Sequence, residues 1–161
     1  MPAIYTTDWY EELKQLLNTN PEVQKNAPPG AYRVLAEISG DPASPYLADG
    51  QQRHFTVRLV DGRCEDYQEV TEPPPRREFD FIFELPATTF EGVAAGLVDP
   101  IQAGLKGTIK ITGDMRVLIK HADLVNVLYD VYAKEVRTEW PRGKPPYGSG
   151  TDGAAASAGI K

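Results

Sequence analysis

Phe79-Asp80-Phe81-Ile82-Phe83-Glu84-Leu85 is the stretch on which the fold turns. Phe79, Phe81, Phe83 and Leu85 share one face of an extended chain, and Asp80, Ile82 and Glu84 share the other. That alternation predicts a strand with one strongly apolar face. The strand runs into Thr88-Thr89-Phe90-Glu91, whose spacing fits a capping box and predicts a helix from Thr88. Phe90, Val93, Ala94, Leu97 and Val98 then recur at helical spacing. Gly92 and Gly96 weaken this helix, each by about 1 kcal/mol against alanine. They also leave its surface shallow, which permits close packing or leaves room for a ligand.

Asp99-Pro100 restarts a short helix through Ile101, Ala103 and Leu105. Gly107 to Gly113 predicts a second strand that stops sharply, and an apolar helix begins at Met115. Met115, Leu118, Ile119, Ala122, Val125, Leu128, Tyr129 and Tyr132 form a long stripe, with a break expected near Ala122-Asp123. Upstream, Thr7 or Asp8 caps a helix reaching about Leu17, and Asn20-Pro21 opens a shorter one. Tyr32 to Ile38 and His54 to Val60 alternate as strands, and Asp61-Gly62 is a two-residue hairpin turn leading to Arg63–Val70. Pro73-Pro74-Pro75 ends that run. Strands grouped between helices predict an α+β fold: about five strands in a largely antiparallel sheet with helices packed on one face.

The chain has 161 residues, 41% hydrophobic and 25% charged, enough for one globular domain. Lys and Arg number 17 against 23 Asp and Glu, a net charge of −6. This balance argues against nucleic acid as a partner and allows at most transient contact with anionic membranes. A single cysteine, Cys64, excludes an intrachain disulfide and a thiolate metal cluster, and points to a cytoplasmic, reducing location. No apolar run approaches the length of a membrane span. From Pro141 to Lys161 the chain is rich in Gly, Pro and Ala and is expected to be a flexible tail behind a domain of residues 1–140.

Reactive chemistry is sparse. His54 and His121 are the only histidines, and no spacing brings several ligands to a metal. Ser39, Ser44, Ser149 and Ser157 occupy loops or the tail, none in a nucleophile elbow. Gly104, Gly107 and Gly113 lack the lysine and the strand–loop–helix order of a phosphate loop. Asp80, Glu84 and Asp114 have no base or cofactor paired with them. Arg76 and Arg77 are read as a solvated loop, with a headgroup contact at a cavity mouth as the alternative. No catalytic residue, metal or cofactor is expected.

Phe81–Leu85, Phe90, Gly96, Pro100, Ala103, Gly107, the run Thr108–Gly113 and Met115–Lys120 together resemble the sterol carrier protein type 2, or sterol-binding domain, family. The ordered combination carries the resemblance over about a quarter of the chain. It implies a sheet of about five strands, an apolar tunnel between sheet and helices, and no catalytic residues. Members bind sterols, fatty acids, fatty acyl-CoA or phospholipids. The helical end after Ala122 and the tail depart from the family pattern, and Gly159-Ile160-Lys161 does not look like a peroxisomal address.

The expectation is therefore a non-catalytic carrier of a lipid or other extended apolar molecule, with Phe81, Phe83, Phe90, Val93, Leu97, Leu105 and Leu118 lining the cavity. Two alternatives stand beside it. One is an interaction module with a filled core, using the Met115–Tyr132 stripe for a homodimer or protein partner. The other is an accessory enzyme subunit that holds an apolar substrate.

Overall fold

The computed structural model describes residues 1–147. Along the chain lie α1 (Thr7–Thr19), α2 (Pro21–Asn26), β1 (Ala31–Ser39), β2 (Gln52–Val60), β3 (Arg63–Val70) and β4 (Phe81–Pro86). They are followed by α3 (Ala87–Ala94), α4 (Pro100–Leu105), β5 (Lys110–Gly113), α5 (Met115–Lys120) and α6 (Ala122–Asp130). A 3-10 turn spans Arg76–Glu78, and a wide π-helical turn, Val131–Glu135, extends α6.

The five strands form one sheet in the order β3-β2-β1-β4-β5. Neighbours are antiparallel except β1 and β4, which run parallel with Val34 beside Phe81. The α+β architecture with a mostly antiparallel sheet is thus the one the alternation predicts. At the β2–β3 hairpin both turn residues are left-handed, Asp61 at φ 50° and Gly62 at φ 82°, as a tight two-residue turn demands.

Polar residues start the helices where the backbone needs them. Thr6 accepts from the Trp9 N–H and so caps α1, one residue before the expected position. Asn20, Asp99 and Asp114 do the same for α2, α4 and α5. The capping box at Thr88 does not form. The helix α3 starts at Ala87, and Asp41 of the β1–β2 loop accepts from both the Thr88 N–H (3.0 Å) and hydroxyl (2.9 Å). Glu91, freed from capping, turns inward and is fully buried.

Trp9, Tyr10, Leu13 and Leu17 bury the apolar stripe of α1 against the β3 side of the sheet. Their rings join Phe55, Tyr67, Phe90 and Tyr132 in one aromatic cluster with centroids 5.3–6.4 Å apart. The strand order carries the β3–β4 connection across β1 and β2, and it passes on the face opposite the cavity. Arg76 pins it there, its guanidinium 2.5 Å from Glu37 and 3.2 Å from Glu84. Leu35 and Ile82 are buried on this face. Arg76 therefore meets protein carboxylates, away from any cavity mouth.

The expected tail begins at Pro141, yet residues 141–147 lie against the body. Tyr46 donates to the Gly143 carbonyl, Arg142 to the Pro45 carbonyl, and Tyr147 to Glu91. The remainder of that segment lies outside the described residues.

Candidate functional site: an apolar cavity

A cavity of about 240 Å³ lies between the sheet and the helices. Its floor is the inner face of the strands: Val34 and Ala36 of β1, Phe55 and Val57 of β2, Tyr67 of β3, and Phe81, Phe83 and Leu85 of β4. Its roof is the stripe of α5 and α6, with Val117, Leu118, Leu124, Val125, Leu128 and Tyr129, continued by Tyr132. Leu17, Phe90, Val93, Pro100 and Ile109 close the sides. Among the described residues no Lys, Arg, Asp or Glu borders the space. The polar side-chain atoms on its wall belong to tyrosines and to His121. The cavity is open to the surface rather than sealed.

The roof follows from helical geometry. A turn of 3.6 residues sends Val117, Leu118 and His121 to one side of α5 and Met115 and Ile119 to the other. The first set borders the cavity, while Met115 and Ile119 are 44% and 72% exposed. Between α5 and α6 the helical path breaks at His121 (φ −111°, ψ 33°), close to the expected position, and no side chain caps α6. The His121 Nδ1 lies 3.3 Å from the Asn26 carbonyl, a contact that needs the proton on Nδ1 and ties the break to the end of α2.

Five of the seven residues expected to line the cavity border it: Phe81, Phe83, Phe90, Val93 and Leu118. Leu97 and Leu105 do not, being 54% and 78% exposed. For Leu97 the reason is that α3 ends at Ala94, and Gly96, left-handed at φ 79°, turns the chain off the helical path. For Leu105 it is the packing of α4, which sets Gly104 against Ile111 of β5 and so rotates its neighbour to solvent. The glycines of the α3 segment serve close packing rather than a ligand. A Cβ on Gly92 would stand 2.5 Å from the Val98 Cγ2, and one on Gly96 would stand 3.2 Å from the Ala133 Cβ. The roof is α5–α6, not the glycine-containing helix.

Several residues escaped the sequence reading. Tyr67 and Tyr132 meet across the cavity wall, their hydroxyls hydrogen-bonded. His121 borders the cavity. Outside the cavity, Glu91 accepts from Tyr5 (2.7 Å), Ser44 (2.8 Å) and Tyr147 (2.5 Å). Burial raises its pKa above the ordinary carboxylate range, although the three hydroxyls pull the other way. Burial likewise raises the Tyr5 and Tyr147 hydroxyls, with Glu91 adding to the effect. Cys64 is buried, and burial pushes its thiol up to about 11. Among the described residues no group of three or more His, Cys, Asp or Glu is placed to hold a metal, and no helix is long and apolar enough to cross a membrane.

The family model described as the SCP-2 sterol transfer family matches residues 14–126, which carry the C-terminal part of α1, all of α2 to α5, half of α6 and most of the cavity wall. The chain belongs to the SCP-2 sterol transfer family. Two solved structures share this SCP-2 fold. A crystal structure of sterol carrier protein 2 is 20% identical with a TM-score of 0.69, over 81% of this chain and 98% of that one. The solution structure of a conserved hypothetical protein of Thermus thermophilus, described as possibly a sterol carrier protein, is also 20% identical with a TM-score of 0.69, over 89% and 96%. At that identity both show the fold alone. No curated protein matches the chain.

Proposed function

We propose that this SCP-2 family protein binds one slender apolar molecule, such as a single acyl chain, in the cavity between sheet and α5–α6, and carries it without transforming it. The observation that supports this most is a wall of apolar side chains with no charged residue among those described, set between the sheet and α5–α6. Burial of a hydrocarbon chain there is favourable by about 25 cal/mol per Å² before ordering costs. The volume of about 240 Å³ sits just under the roughly 300–1,000 Å³ of common ligand pockets, which favours a narrow ligand. A fused-ring sterol needs α5 and α6 to move outward. Among the described residues the wall carries no serine, cysteine or carboxylate, which supports carriage over catalysis.

The test is native mass spectrometry of protein purified from its own source, with displacement of the neutral dye diphenylhexatriene by long-chain alcohols. A co-purified lipid mass and competitive displacement are expected. Protein that carries no lipid and takes up no dye refutes the reading.

A further inference from the structure

We infer that the paired hydroxyls of Tyr67 and Tyr132 form a polar subsite on the cavity wall for an uncharged ligand oxygen, that of an alcohol, ester or ketone. The inference rests on the cavity being the site of the apolar ligand. Tyr67 projects from β3 and Tyr132 from the π-helical turn, and both rings border the cavity. Their hydroxyls bond to each other. Two hydroxyls bring two hydrogens, and one bond between them uses one. In either direction the second hydrogen has no acceptor among the described residues. A donor left unused beside an apolar space is costly, and a ligand oxygen removes that cost.

The surroundings select against a charged end. No Lys or Arg lines the wall among the described residues, so an ionised carboxylate would be buried without a countercharge. Burial holds the Tyr132 proton on, so the pair stays a neutral donor. No hydrogen bond joins the hydroxyl of Tyr10, whose ring stands 5.7 Å from that of Tyr67, to the pair. His121, the remaining polar ring beside the tyrosines, directs Nδ1 to the Asn26 carbonyl.

The full-length protein is titrated with decane, decanol, methyl decanoate and decanoate, each displacing diphenylhexatriene. In the double variant Tyr67→Phe/Tyr132→Phe, decanol and methyl decanoate should bind about fivefold to tenfold more weakly than in the wild type, with decane unchanged. Each single variant keeps one hydroxyl and should lose less than the double. In the wild type, decanoate should bind no more tightly than methyl decanoate. Equal ester binding by the double variant, or a parallel loss of decane, overturns the subsite. Tighter binding of decanoate moves the polar contact to His121 and overturns it too. A measurement on the wild type alone is independent of how the variants fold. The ester carbonyl stretch of bound methyl decanoate should lie below its position in hydrocarbon solvent, and an unshifted band overturns the inference. Failure of every compound, decane included, to displace the dye overturns the carrier reading itself.

Discussion

Replacing Glu91 by alanine should destabilise the fold by about 2–6 kcal/mol, because it orphans two donors that cannot reach water. Tyr5 is held by Phe90, whose ring stacks 5.6 Å away, and by the Arg53 guanidinium 4.7 Å from its ring centre, so its hydroxyl cannot swing out. Ser44 is fixed by the N–H groups of Tyr46 and Leu47, both donating to its oxygen at 3.1 Å. Tyr147 is half-buried and rehydrates cheaply, so it is left out of the sum. Against the roughly 5–15 kcal/mol of an ordinary domain such a loss is large, and it corresponds to at least about 4 °C in Tm. Urea unfolding and calorimetry read it directly. Glu91→Gln keeps the volume and an acceptor, and should cost clearly less than Glu91→Ala. The pH dependence has a definite sign. Burial raises the folded pKa of Glu91, so the folded state takes up the proton more readily than the unfolded one. The stability from that proton is present below the unfolded carboxylate pKa and is lost as pH rises through the folded value. Wild type should therefore gain on Glu91→Gln as the pH falls from neutral into the carboxylate range. A cost below about 1 kcal/mol for Glu91→Ala, or a wild-type advantage that grows with rising pH, refutes the reasoning.

Leu118→Trp points a larger ring from α5 into the cavity. It should leave stability nearly unchanged while weakening apolar ligands on the order of tenfold in dye displacement. Gly92→Ala drives a methyl into Val98 and should cost about 1–3 kcal/mol in urea unfolding. Leu105→Ser alters an exposed residue away from the cavity, so stability should stay within about 0.5 kcal/mol and ligand affinity should not move. Cys64, protonated and buried, should resist iodoacetamide at a pH of about 8 in the folded protein and react at once in denaturant, which mass spectrometry of quenched samples detects.

Features set within a few residues are legible in the sequence. Asp61-Gly62 announces its turn because few pairs tolerate two left-handed residues, and Phe81–Leu85 announces its strand because period two has no helical reading, although Phe79, expected on the same face, precedes the strand and packs against Arg33. Misreadings arise where distant residues intervene. Thr88-Thr89-Phe90-Glu91 has capping-box spacing, yet Asp41, 47 positions from Thr88, takes over the cap and Glu91 is drawn into a buried cluster. The parallel pairing of β1 with β4 depends on the Arg76 crossing, which leaves no periodic trace. Helical spacing puts Leu97 and Leu105 on the cavity wall only when it is extended beyond where the helices end or face inward. A void has no local signal at all, since it is the difference between side-chain volume and the space that long-range packing encloses. Tyr67 and Tyr132, 65 positions apart, could be paired only by the fold.

The cavity persists because its roof is anchored beyond both ends and held from the side at its middle. At one end Gly113 brings β5 against Asp80 and Phe81, where any side chain would collide, and α5 starts at the next turn. At the other, Val131 is fully buried and Thr138 accepts from the Trp9 indole N–H at 2.9 Å, which ties the chain after α6 to α1. Between these anchors the bend at His121 lifts α5 and α6 over the strands, held laterally by Asn26. Collapse onto the floor would have to break one of these ties or straighten the bend. The roof residues facing the gap are aliphatic or aromatic and leave no polar group that water could satisfy, apart from tyrosine and histidine at its margins. A space that neither closes nor hydrates well is stabilised by whatever apolar molecule enters it.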